Sequence, residues 1–522
     1  MQLSQVLKGV EILERAEGQR DCFVENNVLA VCYDSNKCEQ GSLFVAIAGL
    51  KSDGHRFIEN AIKNGARFVI HEQDFTPPAG VTAIRVRDSR RALGQIGRNF
   101  FNDPSSSLCL IAVVGTNGKT TTTYLLESIL QRAGYSVGVL GTVNYRYGKT
   151  VVPAPNTTPE SLEMQRILRE MADHGVTHAI VEVSSHAIDL HRVDDCSFDM
   201  GIFTNLTQDH LDYHKTMENY FLAKHRFFAE VLPAGTKPGT GAMVINGDDP
   251  WGQRIIRGAA GKCTTYGIDI LSDITVKTTD FSLEGIAAKI ISRNGEFDIV
   301  APLMGRFNLY NILAAVAASL ELGIPVEAIQ KGLVLLPQVP GRLEKVSISG
   351  EPSVFVDYAH TDDALRRVLE NLSAFRRGKL ITVFGCGGDR DRGKRPLMGE
   401  AAAHYSDLTI VTSDNPRSEN PTEIIKDIEK GINLPKMGFD INQLIPLRVA
   451  FPNSMEKKYS VVPDRREAIF AAIALAEKED IVLIAGKGHE DYQIIGDKRL
   501  PFDDRDIARK ALARRRNRRE TL

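Results

Sequence analysis

The chain has 522 residues, 43% of them hydrophobic and 25% charged, with a net charge of -2. That length exceeds one compact core, so roughly two to four domains are expected. The near-neutral balance gives no general reason to expect nucleic-acid or membrane binding, no apolar run is long enough to cross a bilayer, and the N-terminus MQLSQVLKGVEILERAEG lacks the apolar core of a signal peptide.

The first block is read as residues 1–105. Leu43–Ala48 reads as a buried strand. Phe57, Ile58, Ala61 and Ile62 fall at helical spacing, with Gly65 as the C-cap, and Phe68–Ile70 is the next strand. This is a small α/β domain.

The second block spans 106–340. Its strand LCLIAVVG runs into the turn GTNGKT, and a helix follows with Leu125, Leu126, Ile129 and Leu130 on one side, stopping at Gly134. Further apolar runs lie at 136–143, 178–183, 200–203 and 242–245. Strand–helix alternation of this kind predicts a mostly parallel sheet covered by helices. The third block, 341–522, has strands at 354–356, 380–384, 408–411 and 481–484. Each runs into a polar loop: DYAHTDDAL, GCGGDRDRGKR, TSDNPRSENP and AGKGHEDYQ. Ligands of open α/β sheets bind at the carboxyl ends of strands, so four such loops point to a site. The segment 433–460 reads as an added surface loop or hairpin. The arginine-rich tail (Arg509, Arg514, Arg515, Arg516, Arg518, Arg519) is either a solvated helix end or an anion-binding patch. The seven cysteines form no CxxC pair, which suits reduced thiols in a cytosolic protein.

VVGTNGKTTT lacks the first glycine of the usual phosphate-loop spacing, because Leu110–Val114 is unbroken apolar strand. The backbone N–H groups of Gly115, Thr116, Asn117, Gly118 and Lys119, with the start of the next helix, can still cradle phosphate. Lys119 supplies a cation to the terminal phosphates, the Thr120 hydroxyl can ligate Mg²⁺, and Thr121 continues the helix start. Glu182, at a strand end, is a hard-oxygen ligand for the same ion. Imidazole is a poor ligand for Mg²⁺, so His210 by itself reads as a hydrogen-bonded loop histidine, and Lys224 as an ordinary helix lysine.

GTNGKTTT, PNTTP (155–159), EVSSHA (182–187), TNLTQDHLDYH (204–214), GRFNLYN (305–311), PGRLE (340–344), DYAHT (357–361), GGDRDRGKRP (387–396), DNPR (414–417) and GKGHEDYQ (486–493) occur in this order. Together they closely resemble the Mur ligases of peptidoglycan synthesis, and among them the ligases that add the third residue of the stem peptide. The resemblance covers nearly the whole chain. It implies an α/β protein of three domains: an N-terminal domain for the UDP end of the substrate, a central P-loop mononucleotide-binding domain for ATP, and a C-terminal Rossmann-like domain that brings the amino acid. It implies phosphorylation of the D-glutamate carboxylate of UDP-N-acetylmuramoyl-L-alanyl-D-glutamate by ATP, followed by attack of an amine on the acyl phosphate.

Carried over residue by residue, the resemblance puts Thr120 and Glu182 on one Mg²⁺, His210 on a second, and a CO₂-derived carbamate on Lys224 as a further metal ligand. ATP would also meet Asn308, Arg342, Asp357 and His360, although Asn308 reads equally as an inter-domain hydrogen bond. The UDP-muramoyl substrate would meet Tyr33, Ser35, Leu50, Lys51, Ser52, Asn156, Thr157, Thr158, Ser184, Leu190 and Arg192. Leu190 departs from the family's glutamine, leaving one contact to a neighbour such as His191. DNPR matches the diaminopimelate-adding class rather than the lysine-adding one. Arg417 would clamp the distal carboxylate and Asp414 and Asn415 the distal ammonium, with Pro416 stiffening the loop and Arg390, Gly486 and Glu490 completing the site. Read without the family, SDNPRSENP is a turn. The expected partners are small molecules only, with neither nucleic acid nor membrane, and the expected state is a cytoplasmic monomer. L-lysine as the amino acid, and a folylpolyglutamate synthase-like ligase, are the alternatives.

Overall fold

The computed structural model describes all residues except 18–26, 50–51, 236, 238–240, 260, 348–349, 438–456 and 521–522. Leu50 and Lys51, Cys22 and most of the segment read as an added loop therefore lie outside the described residues.

Three α/β sheets follow one another along the chain. The first comprises β1 (Ile12–Glu17), β2 (Ala30–Cys32), β3 (Ser42–Val45), β4 (Ala66–His71) and β5 (Thr82–Val86), in the spatial order β1-β5-β4-β3-β2. Only β1 runs antiparallel to its neighbour. The strand expected to reach Ala48 ends at Val45, and Gly65 follows the helix Ile58–Lys63 with φ +109°.

The second sheet has eight strands: β6 (Cys109–Val114), β7 (Val137–Leu140), β8 (Asn144–Tyr147), β9 (Thr150–Pro153), β10 (His178–Val183), β11 (Met200–Phe203), β12 (Ala242–Asn246) and β13 (Cys263–Tyr266). Their order is β13-β12-β11-β6-β10-β7-β8-β9, parallel as far as β7. Successive side chains of β6 go to opposite cores. Ile111 and Val113 pack under the helices Lys119–Arg132 and Arg306–Glu321, while Leu110, Ala112 and Val114 pack against Ser161–Asp173 and Met217–Arg226. A strand covered on both faces must be apolar throughout, which is why its sequence is a continuous run.

An antiparallel sheet of β14 (Thr275–Phe281), β15 (Ile286–Ser292) and β16 (Gly295–Ala301) follows, and was not foreseen. Its signal was Asn294-Gly295, an Asn-Gly hairpin turn between alternating strands, with Gly295 at φ +105°.

The third sheet comprises β17 (Glu344–Lys345), β18 (Ser353–Asp357), β19 (Leu380–Phe384), β20 (Leu408–Val411), β21 (Lys458–Val461) and β22 (Ile481–Ala485). Its order is β17-β18-β22-β19-β20-β21, so the strand of this sheet that comes last in sequence inserts between β18 and β19. The hairpin of β23 (Tyr492–Ile495) and β24 (Lys498–Pro501) leads to the helix Asp504–Glu520. In that basic helix Arg515 pairs with Glu351 at 3.0 Å, and Arg509 pairs with Glu344 at 3.3 Å, so part of its charge serves the fold.

Candidate active site

The phosphate-type loop leaves β6, and its two neighbours supply the surrounding groups. β10 pairs Glu182 with Val113, and β11 runs into the 204–210 loop on the other side. Gly118 sits at φ +87°, and a Cβ there would meet Asn311 Oδ1 at 2.2 Å, so glycine is required. The Thr120 hydroxyl donates to Glu182 Oε2 at 3.1 Å, and the same carboxylate accepts from the Thr142 hydroxyl at 2.8 Å and the Thr142 N–H at 3.1 Å. Lys119 Nζ donates to the carbonyls of Gly115 (3.0 Å) and Thr116 (2.9 Å). Burial lowers its pKa, with Glu182 and Asp209 opposing.

Gly118, Lys119, Thr120 and Thr142 line a cleft of about 270 Å³ together with Thr116, Asn117, Thr121, Thr157, Ser184, His210, Asn308, Arg342, Asp357 and His360, and buried Glu182 stands behind Thr120 and Thr142. The cleft therefore joins the loops of the second and third sheets. Arg342 bridges them: its Nη2 lies 3.3 Å from Thr120 Oγ1, and its guanidinium stacks 4.8 Å from the Tyr358 ring centre. Asp357 is buried and accepts from the N–H groups of Leu343 (2.7 Å) and Ala359 (2.8 Å); burial raises its pKa. Burial also lowers His360. Both bonds of the Asn308 amide, to Met304 O at 2.9 Å and Asn311 at 3.0 Å, stay within the central block, so the expected inter-domain bond is absent.

His210 lies on the rim of the cleft at φ +54° with Nε2 3.4 Å from Asp209. Burial by its surroundings, aided by His186, Lys119 and Lys224, pushes it down to about 4 against the pull of Asp209. Lys224 is not on the cleft wall. Its side chain is 1% exposed beneath the loop, donates to Gly115 O at 2.8 Å and stands 4.7 Å from the Tyr220 ring centre. Burial and nearby Lys119 hold it well below the ordinary lysine range. Sequence reasoning missed Thr142, Asn205, Asp209 and Asn311 on the cleft wall. Asp209 and Asn311 lie inside motifs already singled out; Thr142 follows a strand end and carries no motif.

At the ends of β19, β20 and β22 a second cluster forms. A Cβ on Gly387 would lie 2.9 Å from Arg417 Nη1 and 3.7 Å from Arg390 Cγ, so both arginines flank this glycine. Arg417, at φ +52°, donates Nη1 to Gly388 O at 2.8 Å. The 414–417 loop is laced to the hairpin: Arg417 N donates to Ile494 O at 3.1 Å, and Gln493 Nε2 to Asp414 O at 2.6 Å. Asn415 Nδ2 donates to Glu490 at 2.8 Å, while its Oδ1 accepts from Ile494 N at 2.9 Å and Lys487 at 3.2 Å. Both lone pairs of that oxygen are used within the protein. Asp414 Oδ1 is buried, makes no hydrogen bond and faces Lys487 Nζ at 3.5 Å. A Cβ on Gly486 would lie 3.0 Å from Asp414 Oδ2.

Family models for the Mur ligase family catalytic domain, the Mur ligase middle domain and the Mur ligase glutamate ligase domain match residues 27–101, 113–319 and 341–488. A protein of Geobacter sulfurreducens named UDP-N-acetylmuramoyl-L-alanyl-D-glutamate--2,6-diaminopimelate ligase is 48% identical over 91% of this chain and 92% of its own. The chain belongs to the Mur ligase family. A protein of the same name from Caldanaerobacter subterraneus subsp. tengcongensis is 43% identical over 98% of this chain and 99% of its own. A solved structure of that name is 32% identical with a TM-score of 0.64, covering 95% of this chain and 97% of its own. Folylpolyglutamate synthase of Mycobacterium tuberculosis shares the fold alone, at 17% identity and TM-score 0.59 over 76% of this chain and 92% of its own.

In this Mur ligase the residues expected to meet the UDP-muramoyl substrate fall on both sides of the junction between the first two sheets. Tyr33 OH donates to Glu163 at 2.7 Å, and Ser35 Oγ accepts from Asn60 at 2.9 Å. Ser52 closes a turn with Gly49 at 2.9 Å, and Asn156 O accepts from Tyr145 OH at 2.5 Å. Thr158 Oγ1 spans Glu182 O (2.8 Å) and Ser184 N (3.1 Å), and Thr157 meets Thr142 at 3.2 Å. Arg192 pairs with Glu160 at 3.3 Å, and Glu160 also takes Arg90 from the first sheet's domain at 3.2 Å. Leu190 ends a short helix, and the His191 ring is tied to Asp194 at 2.6 Å.

Among the described residues no three His, Cys, Asp or Glu side chains converge as a metal site. The donors that fit Mg²⁺ are instead paired hard oxygens, Thr120 and Glu182, beside a phosphate-type loop.

Proposed function

We infer that this chain is an ATP-dependent peptide ligase joining meso-diaminopimelate to the D-glutamate of UDP-N-acetylmuramoyl-L-alanyl-D-glutamate, with release of ADP and phosphate. The observation that carries the reading is the cluster of Arg390, Arg417, Asp414 and Glu490, in a chain 48% identical to a ligase of that name. Two guanidinium groups suit a carboxylate, and two carboxylates at one place suit an ammonium.

A carboxylate resists amine attack because oxide cannot leave. Its oxygen therefore attacks the γ-phosphorus of ATP, ADP departs, and the acyl phosphate forms. The amine nitrogen then attacks the carbonyl carbon, loses a proton, and the tetrahedral adduct expels phosphate. The phosphate loop, Lys119 and the N-terminus of Lys119–Arg132 bind and neutralise ATP. Asn308, Arg342, Asp357 and His360 support nucleotide binding from the facing walls, and Arg342 holds the third domain against the loop.

Thr120 and Glu182 would hold Mg²⁺, with His210 toward a second ion; the metal would neutralise the phosphate oxygens. The buried, readily deprotonated Lys224 amine is the form that adds CO₂, releasing a proton and leaving a carbamate anion. Tyr33, Ser35, Ser52, Asn156, Thr157, Ser184 and Arg192 would contact the muramoyl nucleotide. The domains are taken as 1–105, 106–340 and 341–522. The enzyme is taken as a monomer in the cytoplasm.

The test is phosphate release with ATP, Mg²⁺ and the UDP-dipeptide, comparing meso-diaminopimelate, L-lysine and no amino acid. Release with diaminopimelate alone, and a UDP-tripeptide by mass spectrometry, is the expected result. Equal turnover with lysine would overturn the specificity; release without either amino acid would overturn the ligase.

A further inference from the structure

Lys487 has no part in the site as described so far, yet it stands at its centre. Its side chain is wholly buried. Nζ lies 3.2 Å from Asn415 Oδ1, 3.2 Å from Glu490 Oε2 and 3.5 Å from Asp414 Oδ1, and 5.5 Å from the Tyr492 ring centre. An ammonium has three protons and fixed directions for them, so one group reaches both the 414–417 loop and the 486–493 loop. These loops come from strands that are not neighbours in the sheet, since β19 separates β20 from β22. Lys487 alone matches one of the two carboxylate charges, and Asp414 Oδ1 makes no hydrogen bond. A cationic amine is the group that balances the other charge.

We propose that Lys487 is a positioning residue that holds the Asp414 and Glu490 carboxylates together and aimed at the ammonium of the incoming amino acid, and so sets its affinity. The inference rests on the ligase reading above.

Other charges face this cluster. Tyr358, Tyr492 and Arg417 border it, Arg499 stacks on Tyr492 at 3.7 Å, and the buried Arg465–Asp504 pair (2.7 Å) lies behind Ala485. Burial and Asp414 raise the Glu490 carboxyl, and Lys487 is the chief group drawing it back. Without Lys487 that carboxyl would titrate higher still. A neutral carboxyl cannot pair with an ammonium, so binding in the variant should recover as pH rises.

The experiment uses full-length enzyme and steady-state KM and kcat for diaminopimelate and for ATP, between about pH 6.5 and 9.5. Variants are Lys487→Met, Lys487→Arg, Glu490→Gln and the Lys487→Met/Glu490→Gln pair. Lys487→Met is expected to raise the KM for diaminopimelate about tenfold or more near neutrality, with the ATP value within about twofold, and to regain affinity at high pH. Lys487→Arg should restore most of it. In the Glu490→Gln background, Lys487→Met should add less than about threefold. An unchanged diaminopimelate KM overturns the proposal. Equal losses for both substrates, independent of pH and unrelieved by arginine, would overturn it too, making Lys487 a support of the fold. Wild-type enzyme that ignores diaminopimelate would instead overturn the ligase reading.

Discussion

Lysines 119 and 224 show how far residue type falls short of residue role. Both sit at the phosphate loop, Lys119 half-buried and Lys224 fully, and both have lowered pKa values. One lines the cleft, and the other lies beneath it. Lys119 was legible from its place after Gly118, whereas Lys224 in YFLAKHRFF carried no local signal, because its neighbour Gly115 is distant in sequence. The carbamate makes a sharp prediction. With ¹³CO₂ the wild-type protein should show a carbamate carbon signal by NMR that Lys224→Arg lacks. Because the neutral amine reacts, and the pKa is lowered, the signal should survive at neutral pH and fade in acid. At the amino-acid end, Arg417→Ala should raise the KM for diaminopimelate by a factor on the order of 10². Arg417→Lys should recover little, since an ammonium cannot reproduce the planar fork. An unchanged KM in either variant would remove Arg417 from the site.

At the scale of elements, strands buried on both faces were the most readable. The runs at 178–183, 200–203, 380–384 and 408–411 coincide with β10, β11, β19 and β20. The β8–β9 hairpin and the β14–β16 sheet escaped because their strands are half-exposed and short of apolar runs; Thr275–Phe281 has no fully buried residue. The loop joining β6 to its helix offers a test of element geometry. Gly118→Ala forces a left-handed backbone on a side chain and drives Cβ toward Asn311. The cost should be about 1–2 kcal/mol of strain, and calorimetry should find ADP affinity at least about tenfold weaker. Normal ADP binding would mean that the loop does not hold phosphate in this conformation.

At the scale of the molecule, the contact between the first two domains includes a half-buried acid, Asp195. A Cβ on Gly94 would lie 2.4 Å from Asp195 Oδ2. Burial, with Asp194 and Asp103 adding and Arg98 and His191 opposing, raises Asp195 to about 6. The folded pKa exceeds the unfolded one, so ionisation of Asp195 favours unfolding. Its penalty is absent below the unfolded value of 3.8 and complete above about 6. Asp195→Asn should therefore raise Tm at pH 8, by an amount corresponding to roughly 2 kcal/mol, and change it little at pH 4. A pH-independent effect would mean that packing, not charge, governs this contact.

Sequence alone determined the elements and the chemistry they carry. Burial on both faces requires continuous apolar strands, a tight approach requires Gly118, and the polar loops follow strand ends. Tertiary structure alone decided which of those loops meet. The insertion of β22 between β18 and β19, the seat of Lys487 against Asn415 and Glu490, and the arrival of Thr142 at Glu182 join residues far apart in the chain. Such contacts depend on the order in which strands pair and on which buried charges must find partners, and no local period or spacing encodes either.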